Sequence, residues 1–305
     1  MKLTFLSVIS FLAMALFGCS PSKPVQYLPH RVEQIPLKLK AALPVESPID
    51  DLELSGLALY QNTLYSVSDD HGDMIFKLTI EPDKVIAEPF LRFEKPSLRP
   101  DFEGIVCDSA GNFYIISESE CRIFFVSHDG TITKWLTPSF EDQAKAAGLL
   151  QKFNAYPEGL ALRTPTHFYV AAEHSPRGLI ELQLEPSQTK FYVCDYTAIP
   201  LREKRVPDFA DLYYENTRLF ALARNAEAVV ELSIERDSVF EKTCWSFQQA
   251  VSHDSLQYGS MRFGLAEGLT MDSTSIYIVY DTNGETRNRT ARDKRPMFFI
   301  FERPR

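Results

Sequence analysis

The chain has 305 residues, a formal net charge of −9, 45% hydrophobic residues, 22 Phe and 13 Tyr. The hydrophobic content supplies a packed core and excludes intrinsic disorder, while the length fits one large domain or two ordinary ones. The acidic balance repels phosphate backbones, which excludes nucleic acid as a partner.

Lys2 precedes an apolar stretch, Leu3 to Phe17, that is too short to span a bilayer comfortably and has the length of a signal-peptide core. It ends in Leu16-Phe17-Gly18-Cys19, which resembles the lipobox of bacterial lipoproteins. The resemblance implies removal of a signal peptide over residues 1–18 and lipidation of Cys19, with palmitate-type chains anchoring the protein in a membrane. Ordinary secretory cleavage, or an uncleaved anchor, is the alternative. Ser20 follows, and the absence of Asp there is similar to lipoproteins sent to the outer membrane, so the expected place is the outer membrane, facing the periplasm. Residues 19–47 lack periodicity and are rich in Pro, Ser and Lys, which predicts a tether before a folded region over 48–305. Four further cysteines, Cys107, Cys121, Cys194 and Cys244, form no C-x-x-C pair; they are either disulfides or buried free thiols.

Five segments then repeat a short strand opened by a small or acidic residue, a turn, and a second strand rich in aromatic and β-branched residues. They open at Ser55, Glu103, Glu158, Ala210 and Glu267, spaced 48, 55, 52 and 57 residues apart. The second strands lie near Leu64–Ser68, Phe113–Ser117, Phe168–Ala172, Leu219–Ala223 and Ile276–Tyr280, and third strands follow each at a similar place. Strand repeats of about 50 residues predict propeller blades. The expected fold is all-β, a five-bladed β-propeller in one domain. Between the second and third repeats, Phe140 to Phe153 reads as a helical insertion on the surface.

The openings Asp101-Phe102-Glu103-Gly104-Ile105, Tyr156-Pro157-Glu158-Gly159-Leu160 and Ala266-Glu267-Gly268-Leu269 are similar to those of the SdiA-regulated family and the related phytase-like (esterase-like activity of phytase) domain. The resemblance runs from about Leu52 to Phe301. It implies a five-bladed, NHL-like propeller with a calcium site.

In a propeller the start of each inner strand and the end of the next strand share one face. The acidic residues at those places are Glu103, Glu158 and Glu267, then Asp69, Glu118, Glu173 and Asp281, so seven carboxylates are expected at one channel mouth. So many hard oxygen donors, with no His or Cys in the first ring, suit Ca²⁺. Arg224 replaces the acid in the fourth repeat and is either an internal counter-ion or a handle for a small anionic ligand. Asp211 stands one residue off register. His71 and His174 lie just beyond the second ring and are the candidate catalytic bases. The stretch Arg287 to Arg295 reads as a solvated loop, with binding of anionic lipid headgroups as the lesser reading. No nucleophile elbow, Walker loop, dinucleotide fingerprint or zincin motif occurs. Two functions remain: an envelope lipoprotein whose calcium-binding propeller serves binding or scaffolding, or a metal-dependent hydrolase of a phosphoester or lactone. Nothing in the sequence sets an oligomeric state.

Overall fold

The computed structural model describes residues 25–28, 32–50, 52–202, 205–259, 264–290 and 292–304. The signal segment 1–18 and Cys19 lie outside the described residues.

Each repeat forms one antiparallel sheet. The first is Leu57–Tyr60, Thr63–Ser66, Met74–Ile80 and Val85–Arg92. The second is Phe102–Cys107, Phe113–Ser117, Arg122–Val126 and Thr133–Trp135. The third is Pro157–Thr164, His167–Ala172, Gly178–Leu184 and Ser187–Val193. The fourth is Asp211–Glu215, Arg218–Ala223, Ala228–Glu235 and Ser238–Ser246, and the fifth begins Ala266–Met271, Ser275–Tyr280 and Met297–Glu302. Inner strands touch in a closed cycle, first to second and onward until the fifth meets the first. Five apolar clusters fill the five seams between neighbouring sheets, for example Tyr65 and Val67 against Phe113 and Ile115. This is the expected five-bladed propeller. Phe113–Ser117 is buried at every residue, because a strand between two neighbouring blades is covered on both faces; that is why it reads as an unbroken apolar run.

The outer layer departs from expectation. Leu39–Glu46 is the fourth strand of the fifth blade, antiparallel to Met297–Glu302, and its end pairs in parallel with Val85 and Ile86 of the first blade. Gln34–Pro36 adds a fifth strand to the fourth blade, and Gln26–Tyr27 pairs with Tyr196–Thr197. The tether expected over 19–47 is corrected accordingly: its C-terminal half belongs to the propeller and closes it. An outermost strand packs on one side only and tolerates polar residues, so its composition resembles a linker. Lys38 pairs with Glu302 at 3.0 Å and Lys40 donates to the Thr274 carbonyl at 2.8 Å, which places both lysines along this seam.

The helix is shorter than expected, Glu141–Ala146, and is no surface insertion: Phe140, Ala144, Leu149 and Leu150 are buried in the seam between blades two and three. The four cysteines are free thiols, three of them buried. The basic stretch is largely neutralised: Arg287 pairs with Asp293, Arg289 with Asp254, and Arg295 with Asp293 and Glu46. Those pairs remove most of the charge on which the lipid-headgroup reading depended.

At the axis the inner strands approach closer than a side chain allows. A Cβ added to Gly104 would lie 2.6 Å from the Leu160 nitrogen, and one added to Gly268 2.9 Å from the Gly56 carbonyl carbon. Blade four carries Asp211 at the equivalent place. Its carboxylate accepts from the backbone N–H of Leu269 in blade five at 2.7 Å, Leu212 at 2.8 Å and Leu160 in blade three at 3.4 Å. The residue off register is thus a structural bolt across three blades. Burial, opposed by these donors, holds its carboxyl well above the usual range. Asp211→Ala orphans buried donors on two neighbouring blades and is expected to cost about 3 kcal/mol. In calorimetry this is a fall of about 5–10 °C in Tm, with a smaller fall for Asp211→Asn; an unchanged Tm would contradict the role.

Candidate functional site

Backbone hydrogen bonds clamp the end of the second strand beside the start of the inner strand in blades two, three and five. Glu118 N–H donates to the Asp101 carbonyl at 2.8 Å, Glu173 to Tyr156 at 3.1 Å, and Asp281 to Leu265 at 2.9 Å. The two rings therefore meet at one mouth. All seven expected carboxylates, Asp69, Glu103, Glu118, Glu158, Glu173, Glu267 and Asp281, line a single cavity of about 520 Å³, together with Arg224 and His174. His71 is not among its lining; the ring packs edge-on against Phe76, with centroids 6.2 Å apart. As a catalytic candidate it is set aside, because its blade-one loop turns it toward the seam.

Sequence reasoning missed Glu53, Asp101 and Asp208. All three stand two residues before a repeat opening, and side chains two apart along a strand face the same way, so the register held the signal. Asp101 lines the cavity, Glu53 lies beside Asp69 and Asp70, and Asp208 bonds Arg224.

Arg224 divides the cavity into two halves. Its guanidinium bonds the carboxylates of Glu267 in blade five and Glu173 in blade three, donates from Nε to Asp208 at 3.1 Å, and stands 4.0 Å from Glu158. Burial works against its charge, but Glu267, Glu158, Glu173 and Asp208 outweigh it and hold the group well above its ordinary value. Arg224 is therefore the internal counter-ion. As a handle for a bound anion it is corrected, since its donors are already committed to carboxylates.

Glu173 is also held by His174, whose Nδ1 lies 2.7 Å from Glu173 Oε2. Despite burial, His174 and Arg224 keep Glu173 below the usual carboxylate range. On the other ring edge, His174 Nε2 is 2.7 Å from Lys152 Nζ. An ammonium donates only, so Nε2 accepts from Lys152 and the Nδ1 hydrogen faces Glu173, a tautomer assigned from the network.

The half formed by blades one and two has no such cation among the described residues. Oxygens of Asp69, Asp101 and Glu103 converge within 4.8 Å of one another, and so do those of Glu53, Asp69 and Asp70. Burial, then repulsion from Asp281 and Asp70, pushes Asp69 up to about 7. Burial and Asp101 push Glu118 up to about 7, and burial with Asp281 and Asp69 does the same to Glu53. Glu103 is driven well above its ordinary value, first by burial and then by Asp69.

Fold and site together define a closed five-bladed propeller with a polarised acidic cavity on its axis. The chain belongs to the SdiA-regulated family, whose sequence profile matches residues 49–283. A comparison with curated proteins finds no match. Among solved structures, glutaminyl cyclase from Myxococcus xanthus is similar over 90% of this chain and all (100%) of that one, with 12% identity and a TM-score of 0.54. A gluconolactonase from Xanthomonas campestris covers 93% and 99% at 10% identity with a TM-score of 0.45. Virginiamycin B lyase from Staphylococcus aureus covers 87% and 99% at 11% identity, also with a TM-score of 0.45. At these identities the likeness is one of fold.

The raised carboxyls set a pH dependence. In the unfolded chain they titrate near pH 4, whereas folded Asp69 and Glu118 titrate at about 7. The folded state therefore binds more protons between these values, and stability falls as pH rises through that window. Glu173, shifted the other way, loses its contribution only below its unfolded value. In EDTA, Tm is expected to be several degrees higher at pH 5 than at pH 7.5, and Asp69→Asn with Glu118→Gln should flatten the slope; a rise in Tm with pH would contradict the shifts.

Proposed function

We propose that the protein is a calcium-binding propeller whose axial cavity serves binding rather than turnover. The observation that carries this reading is the polarity of the cavity. Arg224 compensates the carboxylates of blades three to five, while Asp69, Asp101 and Glu103 hold their oxygens together with no salt-bridged cation among the described residues, only Arg99 acting on Asp101 from farther off. Oxygens around one Ca²⁺ at 2.3–2.6 Å stand at roughly that mutual spacing. Glu118 and Asp281 are at hand to complete the shell, and the absence of His and Cys from these oxygens favours a hard cation. The lipid anchor at Cys19 and a place in the outer membrane facing the periplasm belong to the same proposal and rest on the lipobox sequence.

The test is a thermal-shift series with calcium against EDTA at pH 7.5. A ligand at a hundred times its Kd stabilises by about 2.7 kcal/mol, so Tm is expected to rise by roughly 5–10 °C. Asp69→Asn and Glu103→Gln should abolish the rise, while Glu158→Gln, in the half that Arg224 neutralises, should retain it. Identical melting with calcium and with EDTA would sink the reading.

One observation favours the alternative, a metal-dependent hydrolase of a phosphoester or lactone. Lys152 is hydrogen-bonded to His174 Nε2, and His174 Nδ1 lies 2.7 Å from Glu173 Oε2, in the same cavity as the acidic cluster. A bound anion that draws Lys152 away frees His174 Nε2 to take a proton from water, with Glu173 stabilising the imidazolium. A bound metal would supply polarisation of the scissile group. Turnover of a lactone or phosphodiester that requires metal and disappears in His174→Gln is the outcome this reading expects; inactivity across both classes returns the protein to the binding role.

A further inference from the structure

A second depression of about 710 Å³ adjoins the acidic cavity and shares Asp69, Asp101, Glu118 and Asn154 with it. Its outer wall carries Leu98 and Phe153, exposed by 93% and 86%. They are the two most exposed large apolar side chains among the described residues; the next, Ile132, is at 56%. Single exposed apolar residues need no explanation, but the two extremes on one groove beside a polar site mark a surface that something covers. The same depression is lined by Lys95 and Arg99, of which Arg99 acts on Asp101, and by the carboxylates of Asp69, Asp70, Asp101, Glu118 and Glu141, while Lys152 lines the adjoining acidic cavity. Two bases and two exposed apolar side chains thus stand on the rim of an otherwise acidic groove.

We infer that this groove binds the apolar tail of a small amphiphile whose anionic, oxygen-rich head reaches the junction between Lys152 and the cation-binding half of the cavity. The inference rests on the cation reading for the head and on the groove alone for the tail. Charge complementarity selects the head: the acidic floor admits an anion only across a bound cation, and Lys95, Arg99 and Lys152 supply the rest of the attraction. Leu98 and Phe153 select the tail. Burying each methylene favours binding about fourfold, so even a partly covered chain of eight carbons is distinguishable from a one-carbon analogue with the same head.

The experiment uses the chain from Ser20 onward, which retains every described residue, and measures methyl phosphate and octyl phosphate by titration calorimetry with calcium present. Octyl phosphate is expected to bind at least about tenfold more tightly. The double variant Leu98→Ser with Phe153→Ser, at positions where no packing is lost, should erase that advantage while leaving calcium binding unchanged. Equal affinities in the unaltered chain, or binding of neither phosphate, would overturn the inference even where calcium binds. A tail advantage that persists without any calcium binding would overturn the cation reading and leave the groove standing. Sedimentation with phosphatidylglycerol vesicles separates the two sources of such a head: loss of vesicle binding in the double variant, with equal phosphate affinities, would assign the wall to a bilayer and overturn the small ligand.

Discussion

Five inner strands meet around one axis with no room for a Cβ between them, and the rest of the molecule follows from that contact. Where Gly104 lies against blade three, the residue before it, Glu103, has to point along the axis toward the mouth, and the same geometry holds at Glu158 and Glu267. The close approach that lets the ring shut is what gathers the acids. Blade four solves the same packing problem with Asp211, whose carboxylate bonds the neighbouring backbones where the other blades rely on close van der Waals contact. A glycine opening and an acidic ring are therefore two aspects of one constraint.

Gathered charge has to be compensated, and the protein does so unequally. Blades three, four and five share the Arg224 guanidinium, so their carboxylates are arranged around a fixed internal cation. Blades one and two leave theirs without such a partner, and burial with mutual repulsion pushes carboxyls there up to about 7. A buried arginine that met every acid would have left an inert channel. Because its reach ends at its neighbours, the far side of the cavity keeps carboxyls that titrate near neutrality.

Much of this was legible in the sequence. Residues at fixed offsets in a repeat must occupy equivalent places in a ring, so the positions of Asp69, Glu118, Glu173, Arg224 and Asp281 could be read without coordinates. Glu53, Asp101 and Asp208 were legible in principle, since they obey the same register two residues earlier; they were passed over because only three of five blades carry an acid there. The outer strands were not legible. Leu39–Glu46 is covered on one side by a strand more than 250 residues away, and no local pattern reports a partner at that distance. The role of Asp211 was hidden for the same reason: three donors on three blades converge on it, and only one, Leu212, is its neighbour in sequence. Nor does a sequence tell whether a histidine one or two residues past a ring lines the channel, as His174 does, or packs on a neighbouring phenyl ring, as His71 does.

The seam at Leu39–Glu46 also bears on how the chain becomes a propeller. Lys38 and Glu302, joined across it, are 264 positions apart, so the ring is fastened by segments remote from one another in the chain. A chain made N-terminus first can pair the end of this strand with Val85 and Ile86 early, but most of its length waits for Met297–Glu302. Contacts between such distant positions form slowly. Through that interval blades one to four can assemble in order while the fifth waits, and the acidic mouth, which needs Glu267 and Asp281 in place, is completed only when the circle is fastened. The strand that fastens the ring and the acids that complete the mouth thus belong to one and the same blade.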